Sequence, residues 1–276
     1  MDERIEFTIR PFGLEETKAV TAISADVGWN QPQEEIRHII RRSGKYILGA
    51  FRGSELVGVA ASYPYPDGGF AYVNEVIVSS AWRKRGAATQ LLEKLLPLTA
   101  ADYPVLRLCA TALGRPIYEK IGFRPFASVS FGEETGELAA PDASGFAPMR
   151  AADLPEAGEL DAANFGSHRL EVLERLLDSA PDAAWTLRRE GGLAGFIIRS
   201  SMNWFLQAVD GSALKTLVSY ADTHAPGGRM PVLIRSEHVE LLDAPINEHF
   251  KLTLMQYGDA VPAPAPAFSG FLPDIG

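Results

Sequence analysis

The alternation of apolar and polar positions divides the chain into two series of elements in the same order. Runs with a period of two predict strands, and runs with a period of 3.6 predict helices. In the first series, the helix that begins at Gly86 presents a face of leucines, and Pro97 is expected to weaken or kink it. We expect strands near residues 7–10, 45–52, 55–64, 71–78, 105–111 and 124–131, and helices near 14–24, from 32, near 86–96 and near 115–121.

The second series repeats this order with matching segments. Residues 56–60 (LVGVA) correspond to 193–197 (LAGFI), and residues 104–106 (PVL) to 231–233 (PVL). Ordered matches of this kind indicate a duplicated unit. Only one strand is evident after Phe123, so the two sheets could exchange or share an end strand. Strands are expected near Phe146, Trp185, Leu193, Phe205, Val232 and Leu252, and helices near Glu156, Leu170, Ala213 and Val239.

These patterns predict an α/β (α+β) chain of two related domains. Each domain is expected to hold a mixed, mostly antiparallel, twisted sheet flanked by helices. The first domain is predicted at residues 1–140 and the second at 146–258, followed by a tail rich in Pro and Ala at 259–276. The length of 276 residues suits two domains of ordinary size.

Composition narrows the classes of function. The net charge of −9 comes from 26 basic and 35 acidic residues, which argues against a nucleic-acid or anionic-membrane binder. The chain has no run of 18 apolar residues, and its start lacks the order of a secretory signal, so we expect a cytoplasmic protein. Cys109 is the single cysteine, and the five histidines show no paired spacing, so no metal is predicted.

The chemistry begins with a basic loop at residues 83–88 (RKRGAA), which fits the pattern [QR]-x-x-G-x-[GA] between a predicted strand and helix. The first turn of a helix leaves N–H groups unpaired, and its dipole favours negative charge. Gly86 lets a diphosphate approach the backbone, and three neighbouring cations can meet its oxygens. The loop therefore predicts a phosphate site, with a solvated basic turn as the alternative. Its cations are Arg83, Lys84 and Arg85.

A second match to the same pattern tests its specificity. Residues 189–194 (REGGLA) also fit, but they lie in a predicted hairpin turn with no helix behind them. Only the first match opens a helix directly after a strand, which is the context that phosphate binding needs. A nucleotide site of the P-loop type is disfavoured, because no Gly-Lys-[Ser/Thr] follows the glycine.

Residues 112–123 (ALGRPIYEKIGF) follow the next strand. Together with residues 76–78 (VIV) and the basic loop, they resemble the GNAT superfamily of CoA-dependent N-acetyltransferases, most closely its two-domain bacterial members with a diverged second half. The match covers residues 7–131 in element order. Thr111 and Gly114 depart from the usual asparagine and alanine. The resemblance implies acetyl-CoA as co-substrate, held by Val76, Ile77, Val78, Arg83, Lys84, Arg85, Gly86, Ala87, Ala88, Thr89 and Thr111.

The resemblance further implies transfer of the acetyl group to a primary amine by direct attack. Tyr118 would act as general acid to the CoA thiolate, since a phenol stays protonated at neutral pH; alternatively, it is a core aromatic. Glu75 is the candidate base, with an exposed strand carboxylate as the alternative. Strand alternation puts Val73, Glu75 and Ile77 on one face. Trp29 and Tyr63 are the candidate substrate-binding residues.

The expected acceptor is a small-molecule amine or a lysine-like group, and a homodimer is left open. In the second half, residues 207–213 (QAVDGSA) bridge strand to helix without a basic loop, and Asp210 would repel a diphosphate. Asn247 stands in place of the tyrosine. We therefore predict that this half binds no CoA. The alternative function is a non-catalytic acetyl-CoA sensor or partner-binding module.

Overall fold

The computed structural model of the chain describes residues 5–29, 31–136, 142–200, 203–224, 229–259 and 268–269, the last pair in backbone only. The predicted tail rich in Pro and Ala lies outside the described residues except for Asp259 and that pair. None of the described helices has the length and apolar character needed to cross a bilayer.

The first half follows the predicted order of elements. Helix α3 differs from expectation, because it continues through Pro97 to Ala100. Leu95, Leu96 and Thr99 stay buried on the two sides of that proline, so packing holds the last turn. The elements are β1 (Thr8–Pro11), α1 (Thr17–Asp26), α2 (Gln33–Ser43), β2 (Ile47–Arg52), β3 (Glu55–Tyr65), β4 (Phe70–Val78), α3 (Ala87–Ala100), β5 (Val105–Ala110), α4 (Arg115–Ile121) and β6 (Arg124–Glu134).

The second half repeats the series. The helix expected near Val239 is a short 3-10 helix, Ser236–Leu241. The remaining elements are β7 (Phe146–Pro148), α5 (Leu154–Phe165), α6 (Leu170–Ser179), β8 (Ala184–Arg189), β9 (Gly192–Arg199), β10 (Trp204–Ala208), α7 (Gly211–His224), β11 (Val232–Arg235), β12 (Ile246–Tyr257) and β13 (Phe268–Ser269).

The strands of the described residues form one sheet of thirteen strands, in the order β1-β2-β3-β4-β5-β12-β6-β11-β10-β9-β8-β7, with β13 beside β10. The pairs β4–β5 and β10–β11 are parallel. All other neighbours are antiparallel. The predicted fold class, a mixed and mostly antiparallel sheet with flanking helices, is confirmed.

The two halves exchange their end strands. Strand β12 of the second half lies between β5 and β6 of the first, so that Leu254 faces Cys109 on one side and Ala127 on the other. Strand β6 in turn pairs with β11 of the second half. Each half therefore completes the sheet of the other. The domain boundaries at 140 and 146 stay a prediction, but the sheet is continuous across them.

Helices cover both faces of this sheet. On one face, α3 packs on the strands of the first half and α7 on those of the second, in two separate apolar clusters. On the other face, α1 and α2 share one apolar core with α5 and α6. The face of the first half that lies away from α3 is thus packed against helices of the second half. We call the face with the shared core the acceptor face, because Tyr63, one of the two residues predicted to bind the acceptor, packs there.

Polar contacts join the halves at the turn between β3 and β4. The Asp67 carboxylate accepts hydrogen bonds from Ser167 Oγ and from the backbone N–H of His168, the latter at 2.9 Å. Burial alone would raise the pKa of Asp67, but these hydrogen bonds outweigh it and hold the pKa well below its usual range. An added Cβ at Gly68 would lie 2.5 Å from the Gly166 carbonyl oxygen, so this close approach requires glycine.

Candidate functional site

The site begins as an opening between two parallel strands. Strands β4 and β5 pair only from Phe70 and Val105 to Tyr72 and Arg107. β5 pairs with β12 along its other edge, from Leu106 to Ala110. Beyond Tyr72, β4 continues to Val78 with no described strand on its β5 side. Backbone groups of an unpaired strand edge need an acceptor or donor from water or a ligand. The predicted residues 76–78 lie along this open edge, which we call the seam.

Helix α3 begins at the end of the seam. Gly86 is its N-cap residue and has a φ of 87°, in the left-handed region that favours glycine. No described side chain caps this helix. Its first-turn N–H groups, on Ala87, Ala88 and Thr89, are those that an α-helix leaves without an internal partner. The backbone here can therefore receive an anion.

Three exposed cations precede this helix start. Arg83 Nε donates to the Val78 carbonyl oxygen at 3.3 Å, and the Arg85 guanidinium lies 5.3 Å from the centre of the Trp82 ring. Among the described residues, no carboxylate forms an ion pair with Arg83, Lys84 or Arg85. Their charge is thus available to a phosphate bound at the helix start.

The loop is tied to the end of α1. Asp26 accepts hydrogen bonds from the backbone N–H of Ser80 at 2.6 Å and from its hydroxyl at 2.8 Å. The backbone hydrogen bond, followed by that from the hydroxyl, lowers the pKa of Asp26. The carboxylate consequently stays ionised and fixes the turn that leads into the cationic residues.

Tyr118 lies in α4 with its ring 5.8 Å from that of Phe123. Burial, with a smaller contribution from Cys109, raises the pKa of Tyr118, so its hydroxyl keeps its proton at neutral pH. An added Cβ at Gly114 would lie 3.2 Å from the tyrosine ring, so the glycine leaves room for the ring. Thr111 lies at the end of β5, where its Oγ1 accepts the N–H of Gly114 at 3.1 Å.

Glu75 lies in a β-bulge of β4. Its φ of 50° is unusual for a residue with a side chain, and the pairing with β3 shifts register at this point. The predicted alternation is wrong here, because Val73 packs in the α3 core whereas Ile77 packs in the shared core of the acceptor face. A bulge inserts one residue and thereby exchanges the faces beyond it.

The bulge buries Glu75, which is 2% exposed. Gln31 Nε2 donates to Glu75 Oε1 at 2.9 Å, and Ser24 Oγ donates to Gln31 Oε1 at 2.6 Å. Glu75 is therefore not an exposed strand carboxylate. Sequence reasoning missed Gln31; the available signal was a polar residue two positions after Trp29, in the connection between α1 and α2.

Comparison with known proteins bears on this arrangement. Residues 18–136 match the family described as "Acetyltransferase (GNAT) domain". These residues are a GNAT acetyltransferase domain. The match spans the seam, the basic loop and α4, and it confirms the prediction of a GNAT acetyltransferase.

Relatives extend the likeness beyond the GNAT domain. The chain is 23% identical over 246 residues to the uncharacterized N-acetyltransferase YitH of Bacillus subtilis (strain 168), covering 86% of this chain and 85% of that protein. A solved structure from Pyrococcus horikoshii aligns over 100% of this chain and 99% of its own, with a TM-score of 0.79 and 18% identity. The structure of the GCN5-related N-acetyltransferase from Sphaerobacter thermophilus aligns over 91% of this chain and 95% of its own, with a TM-score of 0.61 and 15% identity. At these identities the solved structures show a shared fold over both halves.

The two predicted substrate-binding residues occupy different surroundings in the GNAT domain. Trp29 is 42% exposed between α1 and α2, and its backbone N–H donates to the Ser24 carbonyl oxygen at 3.0 Å. Tyr63, by contrast, has no exposed surface and lies beneath the Arg42 guanidinium, 5.2 Å from its ring centre. A direct substrate contact is not open to Tyr63 in this arrangement, because α2 covers the acceptor face there.

Cys109 lies on β5 beside the seam. It is partly buried and is packed against the shared core, with its thiol near the Tyr72 hydroxyl. Burial raises the pKa of Cys109 to about 12, so the group is a thiol at neutral pH. In the described part of the chain, no three His, Cys, Asp or Glu side chains come together as a possible metal site.

The corresponding corner of the second half is closed. Asp210 Oδ1 accepts the N–H of Ala213 at 2.7 Å in the first turn of α7. Arg189, from the second match to the loop pattern, is the last residue of β8, and its Nη1 is 3.5 Å from the Asp210 carboxylate. Asn247 donates to Glu133 Oε1 at 3.0 Å. Asp210 is thus paired with a backbone N–H and with Arg189, and Asn247 is paired separately with Glu133.

Proposed function

We propose that the protein transfers the acetyl group of acetyl-CoA to a primary amine by direct attack. The observation that carries this proposal is one juxtaposition: an uncapped cationic helix start adjoins an open strand edge, with Glu75 buried on β4 and Tyr118 on α4. The class of enzyme, an acetyltransferase, follows from the family match. The binding residues, the proton transfers and the acceptor belong to the proposal.

The diphosphate of acetyl-CoA would bind at the start of α3. The N–H groups of Ala87, Ala88 and Thr89 can donate to its oxygens, and the absent side chain of Gly86 allows close approach. Arg83, Lys84 and Arg85 neutralise the remaining charge. The pantetheine arm would then run along the seam and pair with the backbone of residues 76–78, with Thr111 at its far side.

The amine must lose a proton before it attacks, since an alkylammonium with a pKa of about 10.4 is only about 0.1% neutral at pH 7.4. Glu75 is the proposed base, and the hydrogen bond from Gln31 fixes its carboxylate. Trp29 would wall the acceptor on the other side. The acceptor would approach from the acceptor face, between the segment that joins α1 to α2 and the second half.

The bond changes balance within these groups. The amine nitrogen forms a bond to the acetyl carbonyl carbon, and a backbone N–H near Val78 stabilises the oxyanion. The carbon–sulfur bond then breaks, and the thiolate takes the proton of Tyr118, whose pKa is raised by burial. Glu75 takes one proton from the ammonium before the attack and releases it to water, and it takes a second from the nitrogen as the amide forms. That second proton returns through water to the Tyr118 phenolate, so both groups regain their starting states. The products are an amide and free CoA.

Replacement of Tyr118 by Phe tests this proposal. We expect kcat to fall by about 100-fold or more, because the thiolate loses its proton donor, while the Kd for acetyl-CoA measured by calorimetry stays within about twofold. Tyr103→Phe is the matched control, since Tyr103 packs against Tyr46 away from the seam and should keep full activity. A Tyr118→Phe variant with an unchanged low rate would instead favour an acetyl-CoA sensor.

A further inference from the structure

Arg107 is a buried cation on the acceptor face of the sheet. It is 7% exposed on β5, directly opposite Tyr72 of β4. Its Nε donates to Gln256 Oε1 at 3.2 Å, and its guanidinium lies 4.4 Å from the centre of the Phe70 ring. Within the described ranges, no carboxylate lies at ion-pair distance from it. Buried charges in proteins are ordinarily paired with an opposite charge, so this side chain needs an explanation.

The chain supplies its own comparison in Arg169. That arginine is also buried, at 2% exposed, and it packs on rings of the same shared core. Its guanidinium, however, donates two hydrogen bonds to Asp161, at 2.8 and 2.9 Å. Arg107 contacts an aromatic ring in the same way but has an amide oxygen where Arg169 has a carboxylate. Its two terminal nitrogens have no acceptor among the described residues, although the guanidinium fork matches a carboxylate.

The position of Arg107 connects it to the proposed reaction. Cys109 follows two residues along β5, near the Tyr72 hydroxyl, and it also contributes to the raised pKa of Tyr118. Two strand residues span about 6.6 Å. Arg107 therefore lies about 6.6 Å along β5 from Cys109, at the end of the seam where β4 and β5 still pair. Its neighbours Phe70 and Tyr72 belong to the shared core of the acceptor face.

We infer that Arg107 binds a carboxylate of the acceptor. The acceptor is then a small amino carboxylate whose reacting amine lies several bonds from the carboxylate, as the ε-amine does in free lysine. This inference rests on the proposed function and names the substrate class of the same site. It excludes simple polyamines as preferred acceptors, because they would bring a second positive charge to a buried guanidinium.

Two acceptors that differ in the carboxylate test this inference. L-lysine and 1,5-diaminopentane share the same chain and terminal amine, and only lysine carries the carboxylate. For the wild type we expect kcat/KM to be about 10- to 100-fold higher with lysine, the range of a charge-assisted hydrogen-bonded pair. Arg107→Met should remove that preference through a higher KM for lysine, and it should not lower the rate with diaminopentane, because the charge that repels the second amine is gone. Arg107→Lys should retain part of the preference.

Further measurements separate the possible failures. Acetyl-CoA affinity by calorimetry should be the same in Arg107→Met and the wild type, since Arg107 lies away from the helix start. If no Arg107 variant folds, inhibition of the wild type by hexanoate, competitive with lysine, supports the site, and its absence overturns it. An equal kcat/KM of the wild type with both amines, or an equal loss of kcat/KM with both in Arg107→Met, overturns this inference but leaves the proposed function standing. Failure to bind acetyl-CoA overturns the proposed function as well.

Discussion

The two halves of the chain place a helix after the fourth strand of each series and treat its first turn in opposite ways. In the first half, Gly86 leaves the turn of α3 uncapped beside three cations. In the second half, the Asp210 carboxylate accepts the Ala213 N–H, and Arg189 lies close to that carboxylate. A helix start whose N–H group already donates to a carboxylate offers one donor fewer to a diphosphate, and the negative charge of that carboxylate repels it. The two helix starts therefore differ in capping and in charge although the order of elements around them is the same.

The strand edges differ in the same sense. Beyond Tyr72, the edge of β4 that faces β5 has no described strand beside it. The equivalent strand β10, by contrast, pairs with β13, Gln207 with Ser269 and Ala208 with Phe268. In the second half, the backbone of the chain thus takes the place along the strand that we propose for the pantetheine arm in the first. The seam that we propose for the cofactor is thus a stretch between two strands that no described segment of the chain fills.

We expect the largest effect when the cations before α3 in the first half are replaced. Arg83→Glu combined with Arg85→Glu should weaken acetyl-CoA binding by at least about 100-fold, because two attractive charges become repulsive at the diphosphate. Isothermal titration calorimetry measures the change.

The second half supplies the control for this variant. Arg189→Glu alters the other match to the loop pattern and should leave the affinity within about twofold. Comparable affinity in the double variant and the wild type would reject the proposed phosphate site.

A smaller effect is expected at the closed corner. Asp210→Ala removes the cap of α7 and should lower the free energy of unfolding by about 1 kcal/mol, measured by urea denaturation, with no change in acetyl-CoA affinity. Asp178→Ala, at an exposed position near the end of α6, should change stability little. A second acetyl-CoA site in Asp210→Ala would show that the cap alone had closed this half.

The smallest effect concerns the contact between the halves. Burial, with Arg175 of α6 and Arg42 next in effect, lowers the pKa of His38 to about 4. Between pH 6.5 and 4 the unfolded chain therefore binds a proton that the folded protein does not, and stability falls as the pH falls. In His38→Gln, the drop in Tm between pH 7 and pH 5 should shrink by about 1–3 °C. An unchanged drop, or an equal change in the exposed His224→Gln, would contradict this assignment.

Much of the fold could be predicted from the sequence because it is local. Apolar periodicity marks α1, α3, α4 and the strands of both halves, and the glycine of the basic loop marks the start of a helix. The bulge at Glu75 could not be predicted, since strand alternation carries no signal for one inserted residue. The burial of Tyr63 depends on α2 and Arg42, which come from other segments. The contact of Gln31 with Glu75 and the burial of Arg107 likewise become evident only when distant elements pack together.

The exchanged strands also set an order of events during synthesis. The neighbour that β5 needs on its free side is β12, which ends at Tyr257. A ribosome that has finished the GNAT domain at residue 136 has therefore released a sheet that lacks its central partner, although domains commonly fold as they emerge. Catalytic competence must wait until the chain has been made through Tyr257, and chains that end before β12 should be inactive.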